Sequence, residues 1–189
     1  MDPSLGDDVR PAVFLDRDGV LNRAPVQDGR PGSPLSVDEI EILPGVLEAC
    51  EKLRRHGFLL IVVTNQPNVA RRIQERGSIE AIHDFLRGRL PLDDIRTCYH
   101  DDGDNCECRK PKPGLVLAAA TDWRIELGRS FMVGDRWRDI EAGRRAGCKT
   151  VLINCDYAEQ HPSKPDFETI SLAGAVDWIL ASEQDRIRA

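Results

Sequence analysis

The chain has 189 residues, enough for one domain with a sizeable core, and its 41% hydrophobic and 31% charged content is that of a globular protein. A net charge of −6 without a long basic cluster argues against nucleic acid as the main partner, and the longest strongly apolar run, Phe58 to Val63, is too short to cross a membrane. The N-terminus, Met1 to Arg10, is polar and acidic, has no signal-peptide pattern and reads as a flexible arm, so the expected compartment is the cytoplasm.

In chain order, Val13-Phe14-Leu15 is a short buried strand whose C-terminal end is Asp16. Residues 23 to 39, rich in Pro, Gly, Asp and Ser, read as a loop or small flap, functional or disordered at that length. Pro44 to His56 has helical spacing, with Val46, Leu47, Cys50 and Leu53 on one face and Gly57 as the stop. Phe58 to Val63 is a second buried strand ending at Thr64. Asn65 to Gly77 is a polar connection with a helical stretch near Val69 to Glu75. Ser78 is expected to cap a helix running to about Arg89. Ile95 to Tyr99 is a third strand, Pro113 to about Trp123 a helix, and Ser130 to Val133 a fourth strand ending at Asp135. A helix over Arg138 to Ala146 closes at Gly147, Thr150 to Ile153 is a fifth strand, and Ser171 caps a last helix through about Gln184. Residues 11–184 thus form one domain, with 185–189 as a tail. The alternation predicts an α/β fold, a mostly parallel sheet with helices on both faces. Ligands in such sheets bind beyond the strand carboxyl ends, so Asp16, Thr64 and Asp135 are predicted to converge.

The residue types at those ends suit phosphoryl chemistry. Of Asp16 and Asp18, one carboxylate can attack phosphorus while the other handles the leaving-group proton. Gly19 lets the backbone turn closely and offer N–H groups to phosphate oxygens. An Asp-x-Asp-Gly run also begins some calcium loops, but the remaining ligand positions are absent. Thr64 offers a hydroxyl, Lys110 a positive charge, and Arg109 a two-pronged contact to a second anion. Asp135 is a natural Mg²⁺ ligand. Asp139 reads equally as a further ligand or as the cap of its helix. Trp123, Trp137 and Trp178 read as packing residues, with pocket lining as the alternative for Trp137 beside Asp135, and His56, His83 and His161 read as structural or exposed.

Six cysteines in a reducing compartment favour metal over disulfide where they cluster. Residues two apart on an extended segment point the same way, so Cys98/His100 and Cys106/Cys108 form two claws joined by a short acidic turn. Three thiolates and one imidazole make a closed tetrahedral set for structural Zn²⁺, expected to stiffen the loop 98–108 that aims Arg109 and Lys110. Cys50, Cys148 and Cys155 read as buried packing residues.

Taken together, Asp16-Arg17-Asp18-Gly19-Val20-Leu21-Asn22, Val63-Thr64-Asn65-Gln66, the Cys98 to Pro111 clip with its Arg109-Lys110, and Gly134-Asp135-x-x-x-Asp139 resemble the haloacid-dehalogenase-like (HAD-like) phosphatases. The resemblance covers residues 11 to 155 and points to the subgroup of D,D-heptose 1,7-bisphosphate and histidinol-phosphate phosphatases. It implies a three-layer, Rossmann-like core of five parallel strands without a large cap, Mg²⁺ dependence and an aspartyl-phosphate intermediate. It implies Asp16 as nucleophile and Asp18 as general acid and base. Mg²⁺ would be held by Asp16, the Asp18 backbone carbonyl and Asp135. Thr64 and Lys110 would steady the phosphoryl group, and Gly19, Asn22, Asn65, Arg109 and Arg136 would contact substrate. The segment Asn65 to Arg71 resembles the heptose type, which implies a small phosphorylated sugar as substrate. Arg72, where that pattern has Gly, and the short loop between the claws keep histidinol phosphate, or another small sugar phosphate, as the alternative. A silent zinc-stabilised binding module is the alternative of another class, and a monomer or small homo-oligomer is expected.

Overall fold

The first strand, β1 (Ala12–Leu15), is apolar throughout because both of its faces are covered. Val13 and Leu15 pack on one side, Ala12 and Phe14 on the other. The computed structural model describes residues 9–161 and 164–188. In it β1 lies between β4 (Leu59–Asn65) and β6 (Phe131–Gly134), within a six-stranded sheet ordered β5-β4-β1-β6-β7-β8. The outer strands are β5 (Asp94–Cys98), β7 (Lys149–Ile153) and β8 (Phe167–Thr169), and every neighbouring pair is parallel.

Helices α1 (Val46–Arg55), α2 (Arg76–Arg87) and α5 (Leu172–Arg188) pack against the Val13/Leu15 face, while α3 (Gly114–Trp123) and α4 (Trp137–Ala146) cover the other. The chain steps from β1 to β4 to β5 in one direction, then crosses back over β1 to β6. Right-handed crossovers force the helices to change face at that reversal, which opens a crevice at the carboxyl end of β1. Between β1 and α1 the only regular structure is the hairpin of β2 (Val26–Gln27) with β3 (Arg30–Pro31) and a 3₁₀ turn at Val37–Glu39.

The three-layer α/β reading holds, with local corrections. A sixth strand, β8, extends the expected five; its three half-buried or exposed residues carry no apolar run to announce it. Leu47 is 42% exposed, and Ala49 joins Val46, Cys50 and Leu53 on the buried stripe of α1, as i, i+3, i+4, i+7 spacing requires. Helix α2 starts at Arg76 without a side-chain cap, so Ser78 lies inside its first turn. The stretch before it forms turns rather than helix, with Arg72 at φ +57, a left-handed backbone that suits glycine. Cys50 and Cys148 are buried, but Cys155 is exposed, on the loop after β7. Helix α5 continues to Arg188, past the expected start of a tail. Of the expected N-terminal arm only Val9 and Arg10 are described, and Arg10 is bridged to Ile125.

Candidate active site

Asp16, Asp18, Thr64, Asn65, Arg109, Lys110, Asp135 and Arg136 line one cleft of about 490 Å³ at the carboxyl end of the sheet. Its floor is a charge cluster. The Lys110 Nζ lies 2.8 Å from Asp16 Oδ1 and 2.5 Å from Asp139 Oδ1, and donates to the Val63 carbonyl at 2.8 Å. Burial disfavours the ammonium charge, but Asp139 and Asp16 outweigh it and raise the pKa of Lys110. Asp16 is pushed up to about 6 by burial and by the nearby Asp139 and Asp18, against the pull of Lys110. Burial, Asp16 and Asp139 push Asp135 well above the usual carboxylate range.

Asp16, Asp135 and Asp139 bring carboxylate oxygens within 4.8 Å of one another. Three carboxylates against one ammonium leave two negative charges uncompensated in a buried place, which suits a divalent cation with hard oxygen ligands. Asp139 has its oxygens engaged, Oδ1 by Lys110 and Oδ2 by the Arg136 backbone N–H at 3.0 Å. It is therefore the helix cap and the anchor of Lys110 at once. Both oxygens of Asp135 are buried without a well-aligned hydrogen bond among the described residues, and the only donor beside them is the Tyr157 hydroxyl. A cation is the partner that such orphaned oxygens fit.

Asp18 is held differently. Its carboxylate accepts five hydrogen bonds, from Arg17 Nε and Nη2 and from Asn22, Ser33 and Gln66, all between 2.8 and 3.0 Å. Burial works against its ionisation, but the Arg17 charge and these donors prevail and hold the carboxyl below its ordinary range. Gly19 makes the loop possible. Its φ is +81, and a Cβ there would sit 2.0 Å from Asp135 Oδ2. The Gly19 N–H, expected to face phosphate, instead donates to the Asn22 carbonyl at 2.7 Å.

Two residues expected at the substrate carry structural bonds, Asn22 away from the cleft and Asn65 while lining it. Asn22 is fully buried and donates to Asp18 and to the Arg23 carbonyl. Asn65 pairs with both backbone groups of Lys110, at 3.1 Å each, and so fixes that residue's position. The Thr64 Oγ accepts from Gln66 at 2.8 Å, which leaves its own O–H free to donate into the cleft.

Arginines crowd the mouth. Arg109 and Arg138 share Asp102 Oδ1 at 2.8 and 3.0 Å, Arg71 grips Asp101 through two bonds, and Arg136 is paired with Glu159. Arg30 lines the same opening from the flap. Gln74 donates to the Pro34 and Leu35 carbonyls, so the 65–77 segment clasps the flap and both shape the cleft. Trp137 lines it, the alternative to its reading as a packing residue.

The four clip residues converge. The three sulfurs are 3.1 to 3.6 Å apart, and His100 Nδ1 lies 3.5 Å from Cys98 Sγ and 3.3 Å from Cys108 Sγ. A tetrahedral zinc with sulfur at about 2.3 Å has edges of roughly 3.7 Å, so these donors already stand close to a zinc-sized cage. All four could hold one ion.

Sequence reasoning missed Ser33, Gln66 and Arg17 as partners of Asp18. Ser33 sits in an irregular flap with no periodic signal. Arg17 is the unassigned position between two aspartates, and Gln66 belongs to the quoted Val-Thr-Asn-Gln run without a role.

Similarity to known proteins agrees with this geometry. The HAD-hydrolase-like family model matches residues 107–172. The D-glycero-D-manno-heptose-1,7-bisphosphate 7-phosphatase of Thermosynechococcus vestitus is 34% identical, over 90% of this chain and 95% of its own. The D-glycero-beta-D-manno-heptose-1,7-bisphosphate 7-phosphatase of Escherichia coli is 35% identical, over 93% and 91%. The crystal structure of D,D-heptose 1,7-bisphosphate phosphatase from B. bronchiseptica, complexed with magnesium and phosphate, superposes with a TM-score of 0.80 at 30% identity, covering 91% of this chain and 99% of that one. With relatives of this identity along nine-tenths of its length and the paired aspartates, lysine and acidic cluster gathered in one cleft, the chain belongs to the HAD-like phosphatases and is a phosphoric monoester hydrolase.

Proposed function

We propose that this enzyme removes the 7-phosphate of D-glycero-D-manno-heptose 1,7-bisphosphate. The observation that carries the reading is the arginine-rich mouth, with Arg30, Arg71, Arg109 and Arg138, over a carboxylate floor. A substrate with two phosphates needs one group at the floor and a second anion site at the rim, and guanidinium groups suit the latter. Relatives named for this substrate along nine-tenths of the chain support it.

In this reading Asp16 attacks phosphorus, with Lys110 fixing one of its oxygens and countering the charge of both carboxylate and phosphoryl group. The bond from phosphorus to the sugar oxygen breaks, and Asp18 gives that oxygen a proton. Water then attacks the aspartyl phosphate, Asp18 takes its proton, and phosphate leaves. The resting, ionised Asp18 suits the second half; an arriving phosphate dianion opposes that charge and favours the protonated form needed in the first. Thr64 donates to a phosphoryl oxygen, and Arg109 holds the distal phosphate after exchanging Asp102 for it. Arg136, paired with Glu159, lies at the edge of the sugar site. The Asp16 and Asp135 carboxylates with the Asp18 backbone carbonyl would hold Mg²⁺, which supplies charge neutralisation at the phosphoryl oxygens. Cys98, His100, Cys106 and Cys108 would hold Zn²⁺ and stiffen the loop before Arg109 and Lys110. Reduced thiols in that clip suit the cytoplasm. No helix among the described residues is long and apolar enough to cross a membrane.

The test is phosphate release, with and without Mg²⁺, from both anomers of the heptose bisphosphate, histidinol phosphate, fructose 1,6-bisphosphate and an aryl phosphate. A Mg²⁺-dependent preference for one heptose anomer is expected. Preference for histidinol phosphate would move the enzyme to the sister activity. No release from any of them would favour the silent module, against which the intact set of Asp16, Asp18, Lys110 and Asp135 now weighs.

A further inference from the structure

Two ionisable side chains buried beneath the cleft are placed to touch no reacting atom, Arg17 at 0% exposure and His83 at 1%. Neither lines the cleft. Arg17 bonds both Asp18 oxygens through Nε and Nη2, and its remaining nitrogen, Nη1, lies 3.3 Å from His83 Nε2. A guanidinium only donates, so Nε2 is the acceptor and the ring proton sits on Nδ1. That atom faces Glu80 Oε2 at 3.6 Å, and Glu80 Oε1 accepts the Tyr99 hydroxyl. Tyr99 stands between the clip residues Cys98 and His100. A continuous line of contacts therefore runs from the clip, across α2, to Asp18. Burial first, and the Arg17 charge second, push His83 down to about 4, which keeps the ring neutral and able to accept.

We propose that His83 is a positioning residue for the reaction: it fixes the Arg17 guanidinium that presents Asp18, and through Glu80 and Tyr99 it ties that carboxylate to the Cys/His clip. A guanidinium held only by the carboxylate it aims can swing with it. Held at its far nitrogen by a buried ring on a helix, it becomes a fixed cradle. The inference rests on the reading of Asp18 as proton donor to the leaving group.

The experiment measures kcat/KM with Mg²⁺ for an alkyl phosphate that the enzyme hydrolyses and for an aryl phosphate whose phenolate departs without a proton. This parameter reports steps through leaving-group departure. Asp18→Asn should lose far more on the alkyl ester than on the aryl ester. His83→Leu is expected to lose about tenfold on the alkyl ester and under about twofold on the aryl ester, a fraction of what general acid catalysis supplies. His83→Gln, whose amide oxygen reaches the Nε2 position, should recover most of the loss. Tyr99→Phe should show a smaller loss of the same selectivity, and carries the test if His83→Leu does not fold. Equal losses on both esters, or none, in the His83 and Tyr99 variants while Asp18→Asn remains selective would overturn this proposal alone. Equal losses in Asp18→Asn would overturn the assignment of Asp18 and the proposal with it.

Discussion

Replacing Asp16 by asparagine is expected to abolish turnover and, without Mg²⁺, to make the protein more stable. Asp16 ionises near 3.8 in an unfolded chain but at about 6 in the fold, because burial, Asp139 and Asp18 outweigh Lys110. A folded pKa above the unfolded one stabilises below the unfolded value, and that contribution is lost as pH rises through the folded value. Between pH 3.8 and 6 the fold thus comes to carry an ionisation cost of roughly 3 kcal/mol, at about 1.4 kcal/mol per pH unit of difference. Asparagine keeps the shape of the protonated acid and cannot ionise. At about pH 7.5 in Mg²⁺-free buffer, with zinc left in place, the variant should melt higher than wild type by roughly 6–12 °C for a chain of this size. Below about pH 4 the two should coincide. Added Mg²⁺ should narrow or reverse the order if, as proposed, Asp16 is one of the ion's ligands, because the variant then lacks it. Circular dichroism melts at the two pH values, with and without Mg²⁺, make the comparison. A variant that melts at or below wild type at the higher pH without Mg²⁺ would refute the claim that the site holds its carboxylates under electrostatic strain.

Gly19→Ala should cut activity by at least about a hundredfold while the chain still folds, because its Cβ would meet Asp135 Oδ2 at 2.0 Å and displace the orphaned carboxylate. Magnesium titration of activity would show the expected weaker apparent affinity; unchanged affinity would remove Asp135 from the ion's ligands. Cys108→Ser should lower bound zinc and the melting temperature together, by an amount worth several kcal/mol, measured by elemental analysis and calorimetry. A wild-type protein that binds no zinc would dismiss the clip as a metal site. Arg109→Ala should raise KM about tenfold or more for the heptose bisphosphate and little for an aryl phosphate, as expected for a charge-assisted contact to a second phosphate. Equal increases would argue against that contact.

Much of the site was legible because its chemistry sits at predictable places. Apolar runs that end in Asp16, Thr64 and Asp135 declare buried parallel strands, and the sheet's topology brings their ends together. The i, i+2 spacing of the four clip residues is local geometry, so their convergence follows from the residues alone. Less legible were side chains whose partners lie far along the chain. Asn22 and Asn65 stand in the right segments, yet one turns inward to Asp18 and the other to the Lys110 backbone. Asp139 resolved into cap and lysine anchor together only once α4 was docked against the Lys110 loop.

Spacing along the chain was enough for the alternation of strands and helices, the strand ends that carry the acids, and the four donors of the clip. Each of these depends on spacing within one segment, where backbone geometry dictates which way a side chain points. Packing of distant segments supplied the Ser33 and Gln66 bonds to Asp18, the line from Arg17 through His83 to Tyr99, the pairing of the rim arginines, and the edge strand β8. Those contacts join residues separated by up to dozens of positions. Packing chooses them, since a buried polar group must find whichever partner the folded layers bring within reach.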